Sequence, residues 1–222
     1  MILPPGPRPP QAYDRVAECR ACRRLARHLA AVRRDHPDYY CRPVPPLGGT
    51  GARALIVGLA PGMHGANRTG RPFSGDASGV FLFRSLARAG FSDSVDPAAA
   101  KLCDARITNA VRCLPPGNRP NASELQRCSG YLRVEIDQLW SPRARKPRCI
   151  VALGRLAHES VGRALGMRLA PFRHGGEQSL APGLGLFDSF HPSRQNTNTR
   201  RLTEPMLDEV MAAARSFLDA DR

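Results

Sequence analysis

Short apolar runs that alternate with longer amphipathic segments constrain the fold of this chain more than any other feature of its sequence. Four runs predict buried strands, at 54–58, 105–111, 149–154 and from 183 to Pro192. A helical pattern follows each of them. Parallel strands separated by helices need crossover connections, which place helices on both faces of the sheet. We therefore predict a three-layer α/β/α fold around a mostly parallel sheet of four strands.

The chain is expected to form one domain over residues 1–222. This length is enough for one substantial core. The proline-rich start, 1–11, predicts a stiff, extended leader and lacks the pattern of a signal peptide. No run approaches the roughly 20 apolar residues of a membrane span. We therefore expect a cytoplasmic monomer that does not associate with membranes.

A large excess of positive charge indicates a polyanionic partner. The formal net charge is +14, and Lys101 and Lys146 are the only lysines, so arginine supplies almost all of it. A surplus of this size attracts polyanions, of which nucleic acid is the commonest. Codon usage that favours arginine is the alternative explanation.

Three polar stretches leave the carboxyl ends of the predicted strands, where parallel α/β sheets bind ligands. The first follows Gly58 and is rich in glycine, which lets a backbone approach a ligand closely. It lacks the ending of a phosphate-binding Walker loop, and a plain surface loop is its alternative interpretation. The others follow Asn109 and His191. His191 can donate a hydrogen bond to a ligand or brace the turn before Pro192.

The cysteines indicate a metal site. Seven is an odd number, and disulfides are rare in the cytoplasm. Cys19 and Cys22 form a C-x-x-C pair on a predicted helix, whereas Cys113 follows a strand and Cys128 lies on the next helix. Two such pairs can converge as four thiolates on zinc or on an iron–sulfur cluster. Inert, buried thiols are the alternative.

The order of these motifs resembles that of the uracil-DNA glycosylase superfamily. The motifs are GLAPGMHGANRTGRPFSGD from Gly58, NAVRCLPPGNRP from Asn109 and HPSRQN from His191. The C-x-x-C pair and the second motif are similar to those of the iron–sulfur branch, families 4 and 5. Family 4 usually has GEAPG where this chain has GLAPG, so the first motif resembles that of family 5. The likeness extends from about Cys19 to Arg201.

The resemblance implies a monofunctional DNA glycosylase, a repair enzyme that hydrolyses the N-glycosidic bond of uracil and leaves an abasic site. Other deaminated bases, such as hypoxanthine, are expected substrates, and DNA that contains them is the expected partner. In most of the superfamily an Asp, Asn or Glu in the first motif positions the attacking water, whereas this chain has Leu59. A non-catalytic iron–sulfur protein that binds damaged DNA is therefore the alternative.

The resemblance also implies roles for individual residues. The expected base-binding residues are Gly58, Ala60, Gly62, Phe73 and Asn109. Phe73 would stack on the flipped base, with a place in the core as its alternative, and the Asn109 amide would read the base edge. His191 would donate a hydrogen bond to O2 of the leaving base, where negative charge develops.

Asp76 is the expected second catalytic residue, because it is the nearest carboxylate in the first motif. We expect its charge to stabilise the oxocarbenium-like sugar, in preference to work as a general base. The alternative role for Asp76 is the N-cap of the helix that follows, whose positive end would keep the carboxylate ionised.

Two further sets of residues follow from the resemblance. DNA contacts are expected from the segment after His191, at Ser193, Arg194, Asn196, Arg200 and Arg201. A structural [4Fe–4S] cluster, with zinc as the second choice, is expected on Cys19, Cys22, Cys113 and Cys128. Cys41, Cys103 and Cys149 are not expected to be ligands.

Overall fold

The computed structural model describes residues 3–220, so Met1 and Ile2 of the predicted leader lie outside it. Within that range the strands are β1 (Ala54–Gly58), β2 (Ala105–Asn109), β3 (Arg148–Leu153), β4 (Glu177–Ala181) and β5 (Leu184–Ser189). The α-helices are α1 (Arg23–Asp35), α2 (Ala66–Thr69), α3 (Ala77–Arg88), α4 (Ala122–Leu139), α5 (Arg155–Leu165), α6 (Arg194–Asn198) and α7 (Glu204–Asp219). Short 3₁₀ segments span Tyr13–Glu18 and Pro116–Asn118.

The strands form one sheet in the order β2-β1-β3-β5-β4. β1 pairs in parallel with β2 and β3, β3 pairs in parallel with β5, and β4 runs antiparallel to β5 at the edge. The predicted α/β class with a mostly parallel sheet is confirmed, but the prediction of four strands was wrong. Sequence analysis missed β4, whose residues EQSLA are largely polar. An edge strand can stay polar because it is only partly covered.

Side chains of the central strands alternate between two layers of helices. On one face, Ile56 and Ile107 pack beneath α3 and α7. On the other face, Leu55 and Ile150 pack beneath α4 and α5, and Leu3 from the N-terminal segment joins this layer. All five residues of β1 are buried, as expected for a strand covered on both sides. The four parallel strands end at one edge, which gathers the stretches that follow them.

Side-chain caps fix where the helices near this edge begin. The Asn121 side chain accepts the Glu124 N–H at 2.9 Å, and the Glu124 carboxylate accepts the Asn121 N–H at 2.9 Å, which makes a capping box for α4. Asp76 caps α3, because its Oδ1 accepts the Gly79 N–H at 3.0 Å. Each cap satisfies an N–H group that has no partner within its helix.

Candidate active site

A cavity of about 420 Å³ opens at the carboxyl edge of the sheet, a size typical of small-ligand sites. The stretches after β1, β2 and β5 form its wall. Most of the predicted base-binding and catalytic residues line it, together with one predicted DNA contact: Ala60, Gly62, Phe73, Asp76, Asn109, His191 and Ser193. The parallel sheet thus assembles residues that are far apart in the sequence.

Gly58 lies beneath Phe73 and Asn109 at the end of β1. A Cβ atom added to Gly58 would lie 2.5 Å from Oδ1 of Asn109 and 2.8 Å from Cε2 and Cζ of Phe73. Glycine therefore lets both groups approach the strand end closely. Phe73 has a φ of 51°, a strained conformation for an aromatic residue. Its ring packs in the core and also lines the cavity.

The amide of Asn109 is available for a ligand. Asn109 ends β2, and only 3% of its surface is exposed. Between residues 3 and 220, no protein group hydrogen-bonds its side chain. A buried amide without protein partners is costly unless something else satisfies it. The cavity at Asn109 therefore suits a ligand with both a hydrogen-bond donor and an acceptor.

His191 is a half-buried, neutral imidazole at the exit of β5. Its ring centroid is 5.7 Å from that of Phe73, and Nδ2 of Asn196 donates to its backbone carbonyl at 2.8 Å. Burial lowers the pKa of His191 to about 4, although the charge of Asp76 opposes this shift. The ring is therefore neutral near pH 7. In the described part of the chain its nitrogen atoms have no hydrogen-bond partner.

The carboxylate of Asp76 has two separate surroundings. Oδ1 caps α3, which is the alternative role that sequence analysis gave to Asp76. Oδ2 lies against the backbone of Gly62 and Gly65, where a Cβ atom on Gly62 would be 3.2 Å from it. Asp76 also lines the cavity, and its charge acts on the pKa of His191. One side chain therefore caps a helix and presents negative charge to the site.

The segment expected to contact DNA forms a short helix, α6. The hydroxyl of Ser193 accepts the Asn196 N–H at 3.4 Å and caps this helix. Arg194 and Arg200 are exposed. The guanidinium of Arg201 lies 4.5 Å from the centre of the Phe190 ring, in a cation–π contact. Of the five predicted DNA contacts, Ser193 lines the cavity, and the others lie further along the segment.

Sequence analysis missed several residues of the cavity, including Ser78, Asn118 and Gln195. Asn118 lies within the second motif and has a left-handed φ of 55°, but nothing in that motif showed that it faces the base site. Leu59 also lines the cavity. This apolar side chain stands at the position of the water-positioning Asp, Asn or Glu that the resemblance implies for most of the superfamily.

The four predicted metal ligands, Cys19, Cys22, Cys113 and Cys128, line one cavity. The prediction that the C-x-x-C pair lies on a helix was wrong. Cys19 follows the first 3₁₀ segment and Cys22 precedes α1, so the pair lies in the turn between them. The turn interrupts the helical pattern and brings both side chains to the cavity. Cys113 follows β2 and Cys128 lies on α4, as predicted.

The surroundings of these thiols fit a metal–sulfur centre. The Arg112 N–H donates to Sγ of Cys128 at 3.4 Å, and Arg127 hydrogen-bonds Cys22. Burial raises the pKa of Cys128 to about 11, and burial together with repulsion from the other thiols raises the pKa of Cys113. Four thiolates here would need a positive centre among them. Between residues 3 and 220, no three His, Cys, Asp or Glu side chains are grouped to hold a single metal ion.

The remaining cysteines lie outside that cavity. Cys41 and Cys149 are buried, and Cys103 is exposed. Cys41 accepts a hydrogen bond from Asn67 at 3.5 Å, and Cys149 packs in the core.

Fold and cavity together define an α/β protein with a ligand site at the carboxyl ends of parallel strands, beside a set of four cysteines. A family model described as the uracil DNA glycosylase superfamily matches residues 45–215. The chain belongs to this superfamily. It is therefore classed with the DNA glycosylases, which are hydrolases.

Curated relatives agree with the family-5 branch. The Type-5 uracil-DNA glycosylase of Thermus thermophilus is 44% identical over 211 residues, which cover 90% of this chain and 94% of that protein. The Type-5 uracil-DNA glycosylase of Pyrobaculum aerophilum is 43% identical over 210 residues, which cover 90% of this chain and 89% of that protein. The Type-4 uracil-DNA glycosylase of Archaeoglobus fulgidus is 32% identical over 149 residues, which cover 67% of this chain and 62% of that protein. The predicted resemblance is confirmed.

Among the described residues, no helix has the length and apolar character needed to cross a membrane.

Proposed function

We propose that this protein is a monofunctional DNA glycosylase that removes uracil from DNA. One observation carries the proposal: three polar groups with unused hydrogen-bonding capacity converge in one cavity. They are the Asn109 amide, the neutral ring of His191 and Oδ2 of Asp76. The names of the Type-5 relatives support the same activity.

The cavity suits a base that has left the DNA helix. A nucleotide must be flipped out of the stack before an enzyme can act on its glycosidic bond. The ring of Phe73 offers one face for stacking, which contributes about 1–3 kcal/mol per base. The Asn109 amide offers one donor and one acceptor, which match O4 and N3–H of uracil. These two contacts would orient the base with O2 toward His191.

His191 would act on the leaving base. As the glycosidic bond breaks, its electron pair goes to the base and negative charge grows on O2 of uracil. A neutral imidazole N–H directed at that oxygen stabilises the transition state more than the ground state. Because the pKa of His191 is about 4, the ring is neutral at pH 7. Its N–H therefore stabilises O2 through a hydrogen bond and transfers no proton to it.

Asp76 would act on the sugar. Loss of the base leaves an oxocarbenium-like deoxyribose, which a nearby carboxylate stabilises by charge. A water molecule then adds its oxygen to C1′ and releases a proton, which gives the abasic site and neutral uracil overall. Oδ1 is engaged by the cap of α3, so Oδ2 is the oxygen free to face the sugar.

A second candidate function rests on Leu59. An apolar side chain lines the cavity at the position where a water-positioning residue was expected, which favours a protein that binds damaged DNA without turnover. A duplex with one uracil, treated with the protein and then with alkali, separates the two. Strand cleavage in proportion to enzyme supports the glycosylase. Tight binding without cleavage at enzyme excess would establish the binding protein and refute catalysis.

The proposed substrate range includes other deaminated bases, hypoxanthine first. Hypoxanthine presents an N–H and a carbonyl on its pairing edge, and an amide that rotates can match either order of donor and acceptor. The same alkali assay with matched duplexes that contain uracil, hypoxanthine or adenine tests this range. Cleavage of uracil duplexes alone would limit the protein to uracil.

We also propose that Cys19, Cys22, Cys113 and Cys128 hold a [4Fe–4S] cluster, with zinc as the alternative. Two observations support a cluster over zinc: the four cysteines line one cavity, and among residues 3–220 no three His, Cys, Asp or Glu side chains are grouped to hold a single metal ion. The cluster would supply structural support, since it would join the turn before α1 to the exit of β2 and to α4. Hydrolysis of a glycosidic bond requires no electron transfer.

Metal analysis of protein purified without oxygen tests this proposal. About four iron atoms per chain are expected, with loss of iron and a lower melting temperature in Cys113→Ser. Cys103→Ser is the matched control, because Cys103 is exposed and outside the cavity. One zinc per chain after anaerobic purification would refute the cluster. We further propose a monomer in the cytoplasm, where seven free cysteines stay reduced.

A further inference from the structure

The outer face of α1 carries exposed arginines on one side. At about 100° per residue, positions 23, 27 and 34 lie together, directly opposite the buried positions 25, 29 and 32. We name this row the arginine stripe: Arg23, Arg27 and Arg34. From end to end the stripe covers about 16 Å, at 1.5 Å per residue.

The arginine stripe is not neutralised by the protein. Within residues 3–220, none of its three guanidinium groups has an acidic partner or a hydrogen bond. The first turn of α1 also contains no acidic residue. Other helices differ, since Arg88 on α3 pairs with Glu204 at 3.1 Å and with Asp208 at 2.8 Å. Arg88 is thus neutralised by its neighbours, whereas the three charges of the stripe are not.

The position of α1 relates the stripe to the candidate active site. Leu25, on the buried side of α1, packs in one cluster with Leu59 and Ala60. Both of these residues line the base cavity. The helix therefore rests on the outside of the cavity wall, at the carboxyl edge of the sheet. A DNA duplex with its damaged base in the cavity would extend past this edge.

We propose that the arginine stripe is a second phosphate-binding surface, which holds the duplex beside the damaged base independently of the α6 segment. The inference rests on the proposed function. The three guanidinium groups form an unpaired row that suits a polyanion. Only small or polar side chains lie between them on that face, so an apolar partner would find no apolar surface to bury. About 16 Å corresponds to roughly five base-pair steps, so the stripe can reach two or three phosphates of one strand.

Charge-matched variants test this surface. The test variant is Arg23→Gln/Arg27→Gln/Arg34→Gln, and the control is Arg143→Gln/Arg145→Gln/Lys146→Gln. Both remove three exposed positive charges. The control residues precede β3 and thus lie at the amino end of the sheet, away from the cavity. Equal melting temperatures of both variants and the wild type would show that the fold is intact.

Binding is measured by fluorescence anisotropy on duplexes of about 30 and about 10 base pairs that carry an abasic analogue, over a range of salt concentrations. The slope of log affinity against log salt should fall by about 2–3 on the long duplex in the test variant only, with affinity at low salt down at least tenfold. The short duplex should show a smaller loss, because fewer of its phosphates reach the stripe. Equal losses of affinity in both variants would show that net charge alone causes the effect. No loss of affinity in the test variant would show that the stripe does not bind DNA. Either result overturns the proposal.

Turnover separates this inference from the proposed function. Wild-type protein that binds the abasic duplex but leaves uracil in place would refute the glycosylase, while the binding comparison would still decide the role of the stripe. If uracil is removed, the test variant should raise KM for the long duplex and leave kcat unchanged, because the stripe touches no group in the cavity. A fall in kcat at constant KM would contradict a surface that acts only on binding.

Discussion

Replacing Gly58 with alanine is the most direct test of the site geometry. The φ of Gly58 is not in the left-handed region, so alanine is compatible with the backbone there. The new methyl group, however, would lie 2.5 Å from Oδ1 of Asn109 and 2.8 Å from two ring carbons of Phe73. Ordinary contacts between such atoms are about 3.5 Å or longer. One or both of these groups must therefore move by about 0.7–1 Å.

A displacement of this size has a larger effect on catalysis than on folding. A misplacement of about 1 Å in groups that orient a substrate can reduce the rate about 100-fold. Overpacking of a buried position costs about 1–3 kcal/mol of stability. Gly58→Ala should therefore fold, melt at a lower temperature and lose about 100-fold in kcat/KM for uracil removal. The rate falls because the displaced Phe73 and Asn109 no longer hold the base where His191 can donate a hydrogen bond to its O2.

The assay is single-turnover cleavage of a uracil duplex followed by alkali, together with a thermal melt. Gly51→Ala is the control, because no atom lies within 4 Å of a Cβ at Gly51 and its φ is also permissive. Its rate should equal that of the wild type. If Gly58→Ala keeps the wild-type kcat/KM, then Phe73 and Asn109 do not orient the base, and the proposed mode of binding is refuted.

Three more predictions concern residues around the same cavity. Asp76→Asn should keep its melting temperature, because asparagine caps helices as well as aspartate does, but should lose at least tenfold in kcat; an unchanged rate would leave Asp76 only its cap. Folding lowers the pKa of His191 from 6.5 to about 4, so the unfolded chain takes up a proton first as the pH falls. His191 therefore lowers the free energy of unfolding progressively between pH 6.5 and pH 4. An NMR titration of the His191 ring in the folded protein with a midpoint near 6.5 would contradict this. Nδ1 of His174 accepts the N–H of Phe190 at 3.2 Å, directly before His191 in the chain. His174→Phe should therefore lower kcat, and His174→Asn, which keeps a hydrogen-bond acceptor, should lower kcat less. Equal kcat values for the two variants would exclude this hydrogen bond as the cause.

The central elements of the fold could be predicted because burial shapes their sequences. β1 and β3 are covered on both faces, so β1 is apolar throughout and β3 is apolar after Arg148, which makes both easy to recognise. β4 escaped recognition because one edge and part of one face are in solvent, which permits glutamate, glutamine and serine. The turn at Cys19–Cys22 was missed for a different reason. Its residues fit helical spacing, and only the tertiary packing around the four-cysteine cavity shows that the chain bends there.

The members of the candidate site were predictable, whereas their contacts were not. The motif order and the rule on strand ends together marked Asn109 and His191. Nothing local shows that Gly58 must lack a side chain because Asn109 and Phe73 occupy that space. The neutral state of His191 likewise depends on burial by elements that are distant in sequence. Such properties belong to the assembled cavity and therefore need coordinates.

Asp76 shows why sequence analysis could not choose between a structural and a catalytic role. A carboxylate has two oxygen atoms, and here each has its own surroundings: Oδ1 accepts the N–H of Gly79, while Oδ2 lies against Gly62 at the cavity. The two roles depend on each other, because the cap fixes the rotation of the side chain and so places Oδ2. The positive end of α3 lies beside this carboxylate, and its remaining oxygen is placed to act as a counter-charge for a cationic sugar. A cap at this position is thus the means by which the charge is held in place.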